Sequence, residues 1–325
     1  MNLTNNFFKQ LFFLVVILAC MFVSCKKELL NTPPENLNEP IIKTGDFFDY
    51  SNWNDPFVLD VNGKFVMYAS ASKNFDQNVK IYRLESNDGI SWQQNPATAV
   101  FERSYNLNEW DSKSVETPGV VYYNGKYHLF YTGYKTVYSD AGNFKIGHAV
   151  SNDGMHWTRD YSFLLKPSQP GVIPNMSFDQ YIVGEPAPVV YNNKIYLYFT
   201  AVGMNADLNK TLQVIGLTTF DGNAWTTPQL ALAPDQSVYP RTGYVGYSTP
   251  NAAVKDGKMH LFFDIVRDPW KQVKIHHAVS DNGITGWTLD PAPLLNREDY
   301  TWTAEEILAP SAVYKNDKLW SNGQN

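Results

Sequence analysis

The chain has 325 residues, a formal charge of −6 from 26 Lys and Arg against 32 Asp and Glu, and 15% aromatic residues. Charged residues make up only 18% of the chain, below the roughly 25% of an average soluble domain. This composition excludes a disordered chain, which has few aromatic residues, and a nucleic-acid-binding protein, which needs a basic excess to neutralise phosphates. It favours a protein whose ligands are neutral and ring-shaped.

The N-terminus has the pattern of a secretory signal. Lys9 precedes an apolar run from Leu11 to Val23, which is too short to span a bilayer core of about 30 Å and typical of a signal peptide. The run ends at Cys25 and resembles the lipobox of bacterial lipoproteins, in which a small residue precedes a cysteine that is acylated after cleavage. We therefore predict a lipoprotein signal peptide over residues 1–24 and lipidation of Cys25. Cys20 is a second lipobox candidate, and an ordinary signal peptide is the alternative.

Residues 25–45 contain Pro33-Pro34, Asn and Glu, and we interpret them as a flexible tether. Because Cys20 and Cys25 are the only cysteines, the domain that follows has neither disulfides nor a thiolate metal site. The expected location is the bacterial envelope, with a lipid anchor on the periplasmic side or on the outer-membrane surface. A monomer is expected.

Residues 46–325 contain internal repeats. Five copies of one motif place a Pro eight residues before a Lys, with a turn sequence such as Asn-Gly between them. The repeated prolines are Pro56, Pro118, Pro186, Pro250 and Pro310. In each copy an apolar run, a turn and a second apolar run predict a β-hairpin. A second motif with Asp-Gly and a Trp, as in Ser86–Trp92 and Ser151–Trp157, predicts an outer turn whose Trp packs between neighbouring sheets.

Four strands for each repeat of about 64 residues predict an all-β, five-bladed β-propeller with four-stranded antiparallel blades. A pair of β-sandwiches is the alternative, but it does not require such regular repetition. The fifth copy begins near Leu308, and the sequence ends at Asn325. We therefore expect an incomplete fifth blade, either vestigial or, as we favour, truncated.

The first strand of a propeller blade points the residues at its start towards the central axis. The residues immediately before the repeated prolines are Asp55, Thr117, Glu185, Thr249 and Ala309. One position earlier are Asn54, Glu116, Gly184, Ser248 and Leu308. Three carboxylates, Asp55, Glu116 and Glu185, thus fall at matching places in three copies. Because crowded carboxylates lose solvation and repel one another, their presence favours a catalytic role over a structural role in binding backbone N–H groups.

These motifs resemble the five-bladed glycoside hydrolases of the superfamily that contains families 43, 32 and 130. The resemblance rests on Trp53-Asn54-Asp55-Pro56, Val115-Glu116-Thr117-Pro118, Gly184-Glu185-Pro186 and the segment 122–133. It implies a hydrolase that cleaves glycosidic bonds of oligo- or polysaccharides. A non-catalytic carbohydrate-binding propeller and a relative of the glycoside phosphorylases are the alternatives.

The resemblance also implies catalytic roles. In family 43 the carboxylate before the first Pro is the general base, which corresponds to Asp55. The family's general acid is a Glu two residues before the fourth Pro, where this chain has Ser248. We predict Asp55 as base, Glu185 as acid and Glu116 as a third carboxylate, with Glu305 and Glu306 as outside candidates for the acid. A separation of roughly 6.5–9.5 Å between base and acid would predict inversion.

Further residues are candidates for substrate binding. Aromatic rings stack on the faces of sugars, so the predicted platforms are Trp53, Trp110 and Tyr247, with Tyr244 beside them. The predicted cationic contact is Arg241, and with Arg267 and Lys271 it would favour a phosphorylase. No cofactor is predicted. We predict that His128, His148, His260 and His277 are core residues. The alternative is that one of them binds a structural ion, such as calcium, at the axis.

Overall fold

The computed structural model describes residues 52–73, 78–136, 143–168, 177–205, 210–235, 237–239, 243–269, 271–301, 305–315 and 318–324, together with Ile42 and Phe47. All of them belong to one compact unit, residues 37–325. The predicted signal peptide with Cys25 lies outside the described residues, whereas Ile42, near the end of the predicted tether, packs against the apolar core of the first sheet. No helix of the described residues is long and apolar enough to cross a membrane.

Two four-stranded antiparallel sheets come first. The first contains β1 (Asn52–Val61), β2 (Lys64–Ser72), β3 (Lys80–Ser86) and β4 (Gln93–Gln94). The second contains β5 (Ser114–Tyr123), β6 (Lys126–Tyr134), β7 (Lys145–Ser151) and β8 (Thr158–Leu165). In the turn between β1 and β2, both Asn62 and Gly63 have positive φ, 53° and 81°. Asn-Gly adopts this conformation readily, which is why the motif makes a tight hairpin.

The next two units lie in one continuous sheet. The third unit contains β9 (Ile182–Tyr191), β10 (Lys194–Asn205), β11 (Lys210–Phe220) and β12 (Gln229–Leu232). The fourth contains β13 (Tyr244–Lys255), β14 (Lys258–Arg267) and β15 (Lys271–Ser280), with β16 (Thr288–Leu289), β17 (Leu295–Asn296) and the 3-10 turn Arg297–Asp299 at its outer edge. A single parallel bridge between Gln213 and Gly246 joins the two units. The last hairpin contains β18 (Leu308–Lys315) and β19 (Lys318–Gln324).

The five first strands surround a common axis. β1, β5, β9, β13 and β18 contact one another in that order, and β18 also contacts β1. Hydrogen bonds of 2.9 Å tie the last hairpin to both neighbours, from Val58 N to Ser311 Oγ and from Ala312 N to Asn251 Oδ1. The predicted all-β propeller architecture is therefore confirmed.

Aromatic residues fill the space between neighbouring sheets. Tyr68 of the first sheet donates a hydrogen bond of 2.8 Å to the Gly154 carbonyl of the second, and its ring centroid lies 6.0 Å from that of Trp157. Tyr198 and Trp287 repeat this contact between the third and fourth units, again at 6.0 Å. The Trp of the second sequence motif thus packs across sheets, as predicted, and holds adjacent units together.

Candidate active site

Each first strand has a β-bulge at the repeated Pro. The pairing register breaks between the residue two positions before the Pro and the residue after it. The residues immediately before the Pro have left-handed φ values: 52° at Asp55, 49° at Thr117, 54° at Glu185, 40° at Thr249 and 52° at Ala309. Residues other than glycine rarely adopt this conformation, which costs about 1–3 kcal/mol each time. Its repetition at the same place in five strands makes it part of the fold.

These five residues line one pocket at the axis, together with the prolines that follow them. The space has a volume of about 30 Å³, which is enough for one or two water molecules and too small for a sugar ring. The bulges therefore direct side chains of all five strands towards a water-sized space.

Asp55 is one of the two acidic residues that line the pocket. Its carboxyl accepts hydrogen bonds from the Ser70 hydroxyl and the Thr117 N–H, which favour the charged form. Burial and the negative charge of Glu185 have a larger, opposite effect and raise the pKa of Asp55 to about 7. Protein atoms enclose the carboxyl, yet Asp55 keeps part of its surface open to the axis. At neutral pH both protonation states are therefore populated.

Glu185 is held in the same way, two units further around the axis. Its Oε2 accepts hydrogen bonds from the Thr200 hydroxyl and from the Thr249 N–H, the latter at 2.9 Å. Burial raises the pKa of Glu185, and the two hydrogen bonds oppose that rise. The charge of Glu185 is also one of the causes that raise the pKa of Asp55, so the two carboxyl groups affect each other's protonation.

The hydrogen bonds around the axis follow a rule that repeats from unit to unit. In the second to fifth copies, the N–H of the residue before the Pro donates to a side chain six positions after the repeated Lys of the preceding unit. The N–H groups of Thr117, Glu185, Thr249 and Ala309 donate to Ser70, Thr132, Thr200 and Asp264 at 2.8, 2.8, 2.9 and 3.2 Å, respectively. Three of these four acceptors are hydroxyl groups, and the fourth is a carboxyl group.

Asp264 is the axial carboxyl that the sequence analysis missed. It is fully buried, and its Oδ2 makes a hydrogen bond with the Thr249 hydroxyl as well as with the Ala309 N–H. Its Oδ1 has no hydrogen-bond partner among the described residues. Burial, with the charges of Glu185 and Asp55, raises the pKa of Asp264 well above its usual range. Burial therefore favours the protonated form of Asp264.

Asp264 lies next to the position where family 43, which the repeats resemble, has its general acid. In this chain that position is Ser248, and Asp264 pairs with Ser248 across the strands. The fourth unit thus lacks a carboxylate on β13 and has one directly opposite, on β14. A signal was present in the sequence, since the residue six positions after the Lys is Ser70, Thr132, Thr200 and then Asp264. The residues before the repeated Pro do not indicate this position, because it lies on the second strand of each repeat.

Three other predicted site residues do not line the axial pocket. Glu116 is half-buried on β5, opposite Thr132. Trp53 packs edge-on against Tyr82, with ring centroids 5.5 Å apart. Tyr247 is fully buried, and its hydroxyl accepts a hydrogen bond of 2.8 Å from Asp235 N. Its ring therefore has no face open to a sugar.

Trp110 lies at a separate cavity of about 230 Å³ on the second sheet, beside Arg159 and Tyr161. Its indole stacks on Tyr131 with 5.7 Å between ring centroids and an interplanar angle of 14°. Gly133 and Gly147 approach the indole so closely that a side chain at either position would overlap with it. Trp110 is thus held rigidly, away from the axis.

Of the predicted cationic residues, the two that the structure describes do not line the axial pocket. Arg241 lies outside the described residues. Arg267 is exposed at the end of β14, and Lys271 forms an ion pair with Glu305. Glu306 accepts a hydrogen bond of 3.2 Å from Gln272 N. Neither glutamate lines the axial pocket.

The predicted core histidines form two matching chains of hydrogen bonds, here called the His–His–Asp relays. In the second unit His128 Nδ1 lies 3.0 Å from His148 Nε2, and His148 Nδ1 lies 2.9 Å from Asp160 Oδ2. In the fourth unit His260, His277 and Asp290 repeat this arrangement, with both distances at 2.9 Å. Within the described ranges, no three His, Cys, Asp or Glu side chains are arranged to hold a metal ion.

Comparisons with known proteins agree with this architecture. The family model of the glycosyl hydrolases family 32 N-terminal domain matches residues 115–242, less than half of the chain. A comparison with curated proteins gave no match. A putative glycoside hydrolase from Parabacteroides distasonis has a similar structure, with 16% identity, a TM-score of 0.62 and coverage of 91% of this chain and 93% of that chain.

Two further solved structures are similar. A thermostable family-43 glycoside hydrolase has 16% identity, a TM-score of 0.62 and coverage of 86% of both chains. An endo-arabinase from Bacteroides thetaiotaomicron has 18% identity, a TM-score of 0.55 and coverage of 83% of this chain and 88% of that chain. The identities are low, so the similarity concerns the fold. The chain thus has the β-propeller fold of the family-43 and related glycoside hydrolases that its repeats resemble.

Proposed function

We propose that this protein hydrolyses glycosidic bonds of oligo- or polysaccharides at the axial pocket. The observation that carries the proposal is the pair Asp55 and Glu185, which line one water-sized space and both have a raised pKa. Crowding of two carboxyl groups at a strained backbone does not favour folding. Two interacting carboxyl groups lose their protons in separate steps, and glycoside hydrolysis requires a pair in which one group is ionised and the other is protonated.

Asp55 has the properties of the general base. An inverting hydrolase needs one ionised carboxylate that takes a proton from the attacking water. Asp55 combines a pKa of about 7 with partial exposure to the pocket, so it accepts a proton readily above that pH. The water-sized space beside it suits the attacking water. We propose inversion for this reason.

Glu185 can adjust the protonation of Asp55, because its charge raises the pKa of Asp55. As the predicted general acid it would have to stay protonated while Asp55 is ionised, and burial raises the pKa of Glu185 in the direction that this role requires. In the resembling family, too, the carboxylate before the third Pro tunes a pKa. Glu116, outside the pocket lining, stays a candidate for a supporting third carboxylate.

The test is hydrolysis of a panel of plant-type and host-type oligosaccharides, measured as released reducing sugar. We expect Asp55→Asn to lower kcat/KM by roughly 10²–10⁴-fold, the usual contribution of a general base. Asp60→Asn on the same strand is the matched control, because Asp60 is exposed and only accepts a hydrogen bond from Gly63 N. Full activity of Asp55→Asn on a substrate that the wild-type protein cleaves would remove Asp55 as the base.

A non-catalytic carbohydrate-binding propeller is the second candidate. It is favoured by Ser248, which is fully buried and has replaced the acid of the resembling family. Binding of a glycan without any turnover, across the same panel, would select this function. The phosphorylase alternative receives no such support, because Lys271 is engaged by Glu305.

We also propose that a lipid on Cys25 anchors the protein to the bacterial envelope. The support is the apolar run that ends at this residue. Metabolic labelling with a palmitate analogue should label the wild-type protein and Cys20→Ser, but not Cys25→Ser. Equal labelling of Cys25→Ser and the wild-type protein would contradict this site.

A further inference from the structure

The proposed hydrolysis requires a proton for the leaving oxygen, and no glutamate stands at the position of the family's acid. We propose that Asp264 supplies this proton through the hydroxyl of Thr249. The inference rests on the proposed function and names a part of its machinery. Thr249 is the group that touches the sugar, and Asp264 is a positioning residue that acts through it.

The geometry divides the two tasks between the two side chains. Asp264 is fully buried, whereas Thr249 is 7% exposed and lines the axial pocket. The Thr249 hydroxyl and Asp264 Oδ2 lie within hydrogen-bonding distance. A carboxyl group that cannot reach a sugar is thereby connected to a hydroxyl group at the pocket wall.

In the structure Asp264 Oδ2 accepts hydrogen bonds from the Thr249 hydroxyl and from the Ala309 N–H; for the protonated acid we place the proton on Oδ2, where it is shared with Thr249 Oγ1. A proton on Oδ1 would be an unshared buried donor, because Oδ1 has no partner among the described residues. An unpaired acceptor is tolerated better than an unpaired donor in a protein interior. With the proton on Oδ2, the carboxyl donates to Thr249 Oγ1, and the hydroxyl hydrogen of Thr249 is then free to point into the pocket.

The surrounding charges keep Asp264 protonated. The charged groups that act on it within the described residues are Glu185 and Asp55, and both are acidic. Its other partner at the axis is the uncharged N–H of Ala309 at 3.2 Å. Ionisation of Glu185 and of Asp55 each makes loss of the Asp264 proton harder. The proposal therefore pairs a protonated Asp264 with an ionised Asp55.

The second unit provides an internal comparison. Thr117 has the same left-handed backbone as Thr249, φ 49° against 40°, and lines the same pocket. Its hydroxyl donates to the Thr132 hydroxyl at 2.5 Å. A hydroxyl does not release a proton at neutral pH, so this pair cannot serve as an acid. Of the pairs Thr117–Thr132 and Thr249–Asp264, only the second contains a carboxyl group.

The proposed step balances as follows. The bond between the anomeric carbon and the leaving oxygen breaks, and its electron pair stays on that oxygen. The oxygen takes the hydroxyl proton of Thr249 while the Asp264 proton moves to Thr249 Oγ1. On the other side, water loses a proton to Asp55 and forms the new bond to the anomeric carbon. Exchange with solvent then returns a proton from Asp55 to Asp264.

The test compares two substrates that carry the same sugar but leaving groups of different basicity. A 4-nitrophenyl glycoside leaves without protonation, whereas an oligosaccharide or an alkyl glycoside needs the acid. We expect Asp264→Asn and Thr249→Val to lower kcat at least 100-fold on the oligosaccharide and less than 10-fold on the nitrophenyl glycoside. Thr249→Ser, which keeps the hydroxyl, should restore most of the oligosaccharide activity.

Thr117→Val is the matched control, because it removes the equivalent hydroxyl of a pair without a carboxyl group. Any change that it causes should be equal for the two substrates.

Equal losses on both substrates for Asp264→Asn would overturn the proposed proton transfer from Asp264 through Thr249. A loss that depends on the leaving group in Glu185→Gln, and not in Asp264→Asn, would overturn it as well. Asp55→Asn should lose activity on both substrates and so tests the hydrolase function by itself. If the wild-type protein cleaves neither substrate, the proposed hydrolase function and the proposed proton transfer from Asp264 both fail. Circular dichroism confirms that each variant is folded.

Discussion

The axial pocket and the two His–His–Asp relays both bury titratable side chains at repeated positions, but they repeat in different ways. At the axis the backbone is the same in five strands, whereas the residue before the Pro is Asp55, Thr117, Glu185, Thr249 or Ala309. In the relays the side chains themselves recur, with His128–His148–Asp160 matching His260–His277–Asp290 to within 0.1 Å. The repeated side chains of the relays satisfy one another's hydrogen bonds. The five different residues at the axis share one backbone conformation but form an asymmetric group of side chains.

The difference supports the proposed division, with the reaction at the axis and a contribution to stability from the relays. Each relay ends at a partly exposed aspartate, and burial lowers the pKa of His148 and His260 to about 4. These histidines are therefore neutral at pH 7 and act as hydrogen-bonded core. At the axis burial raises the pKa of Asp55 to about 7, which makes its charge available for reaction at a cost in stability. The relays should thus affect folding alone, and the axis mainly catalysis.

Breaking a relay should produce the largest change in stability. We expect His148→Ala and His277→Ala each to lower the free energy of unfolding by about 2–4 kcal/mol, because each leaves a cavity and an unpaired histidine. The two losses should agree within about 1 kcal/mol, since the relays share their geometry. Chemical denaturation measures the loss, and kcat of the folded fraction should not change. A reduced kcat at unchanged stability would contradict the division between the two regions.

The two regions should also respond to pH with opposite signs. As the pH falls from 7 to about 4, the fold gains stability from Asp55, which binds its proton more tightly when folded, and loses stability at His148 and His260, which bind theirs less tightly. Asp55→Asn removes the gain. We expect this variant to be more stable than the wild-type protein at pH 8 by about 2 kcal/mol, allowing for solvent screening.

The measurement is Tm from pH 8 to pH 4 for both proteins. The Tm of Asp55→Asn should fall more steeply over this range, so that the two curves converge near pH 4. Parallel curves would show that the Asp55 carboxyl titrates as an ordinary exposed group.

Removing the Glu185 charge should move the pH dependence of catalysis. Activity should rise with pH as Asp55 ionises, with a midpoint near 7 in kcat/KM for the wild-type protein. In Glu185→Gln the midpoint should fall by roughly one pH unit, because a like charge beside Asp55 is lost. A pH–rate profile measures the shift. An unchanged midpoint would mean that the two carboxyl groups do not interact.

The smallest effect is expected from a hydroxyl at the axis. Thr132→Val leaves the Glu185 N–H and the Thr117 hydroxyl without their acceptor. We expect the free energy of unfolding to fall by about 1–2 kcal/mol. Thermal denaturation measures this change, and Thr226→Val, outside the axis, is a control for the substitution itself. An equal or larger effect of the control would argue against a special role of the axial hydrogen bonds.

Much of the fold was predictable because each repeat contains its own local signals. Asn62-Gly63 makes a turn whatever surrounds it, and the Trp of the second motif packs across sheets once the blades exist. Asp55 and Glu185 were found because the repeated Pro marks the bulge that turns the preceding residue to the axis. Backbone constraint at one position was enough to place them.

Other parts of the site depend on contacts between distant segments. Asp264 reaches the axis from the second strand of its unit, opposite Ser248, and only the strand register shows that the two residues meet. Trp110 follows the path of its loop to a different cavity, and Tyr247 packs inward beneath Asp235. Residue type indicated sugar-stacking rings at these positions, but the direction of each side chain is set by tertiary packing.

Chemical rescue of the base tests the central claim most directly. Asp55→Gly suits the left-handed backbone at φ 52° and opens space at the pocket for a small external nucleophile. With a 4-nitrophenyl glycoside, the wild-type protein should release the sugar with inverted anomeric configuration, and added azide should restore turnover of Asp55→Gly with a glycosyl azide of inverted configuration. Absence of rescue in a folded variant, an azide product of retained configuration, or a wild-type sugar product of retained configuration would contradict Asp55 as the base of an inverting hydrolase.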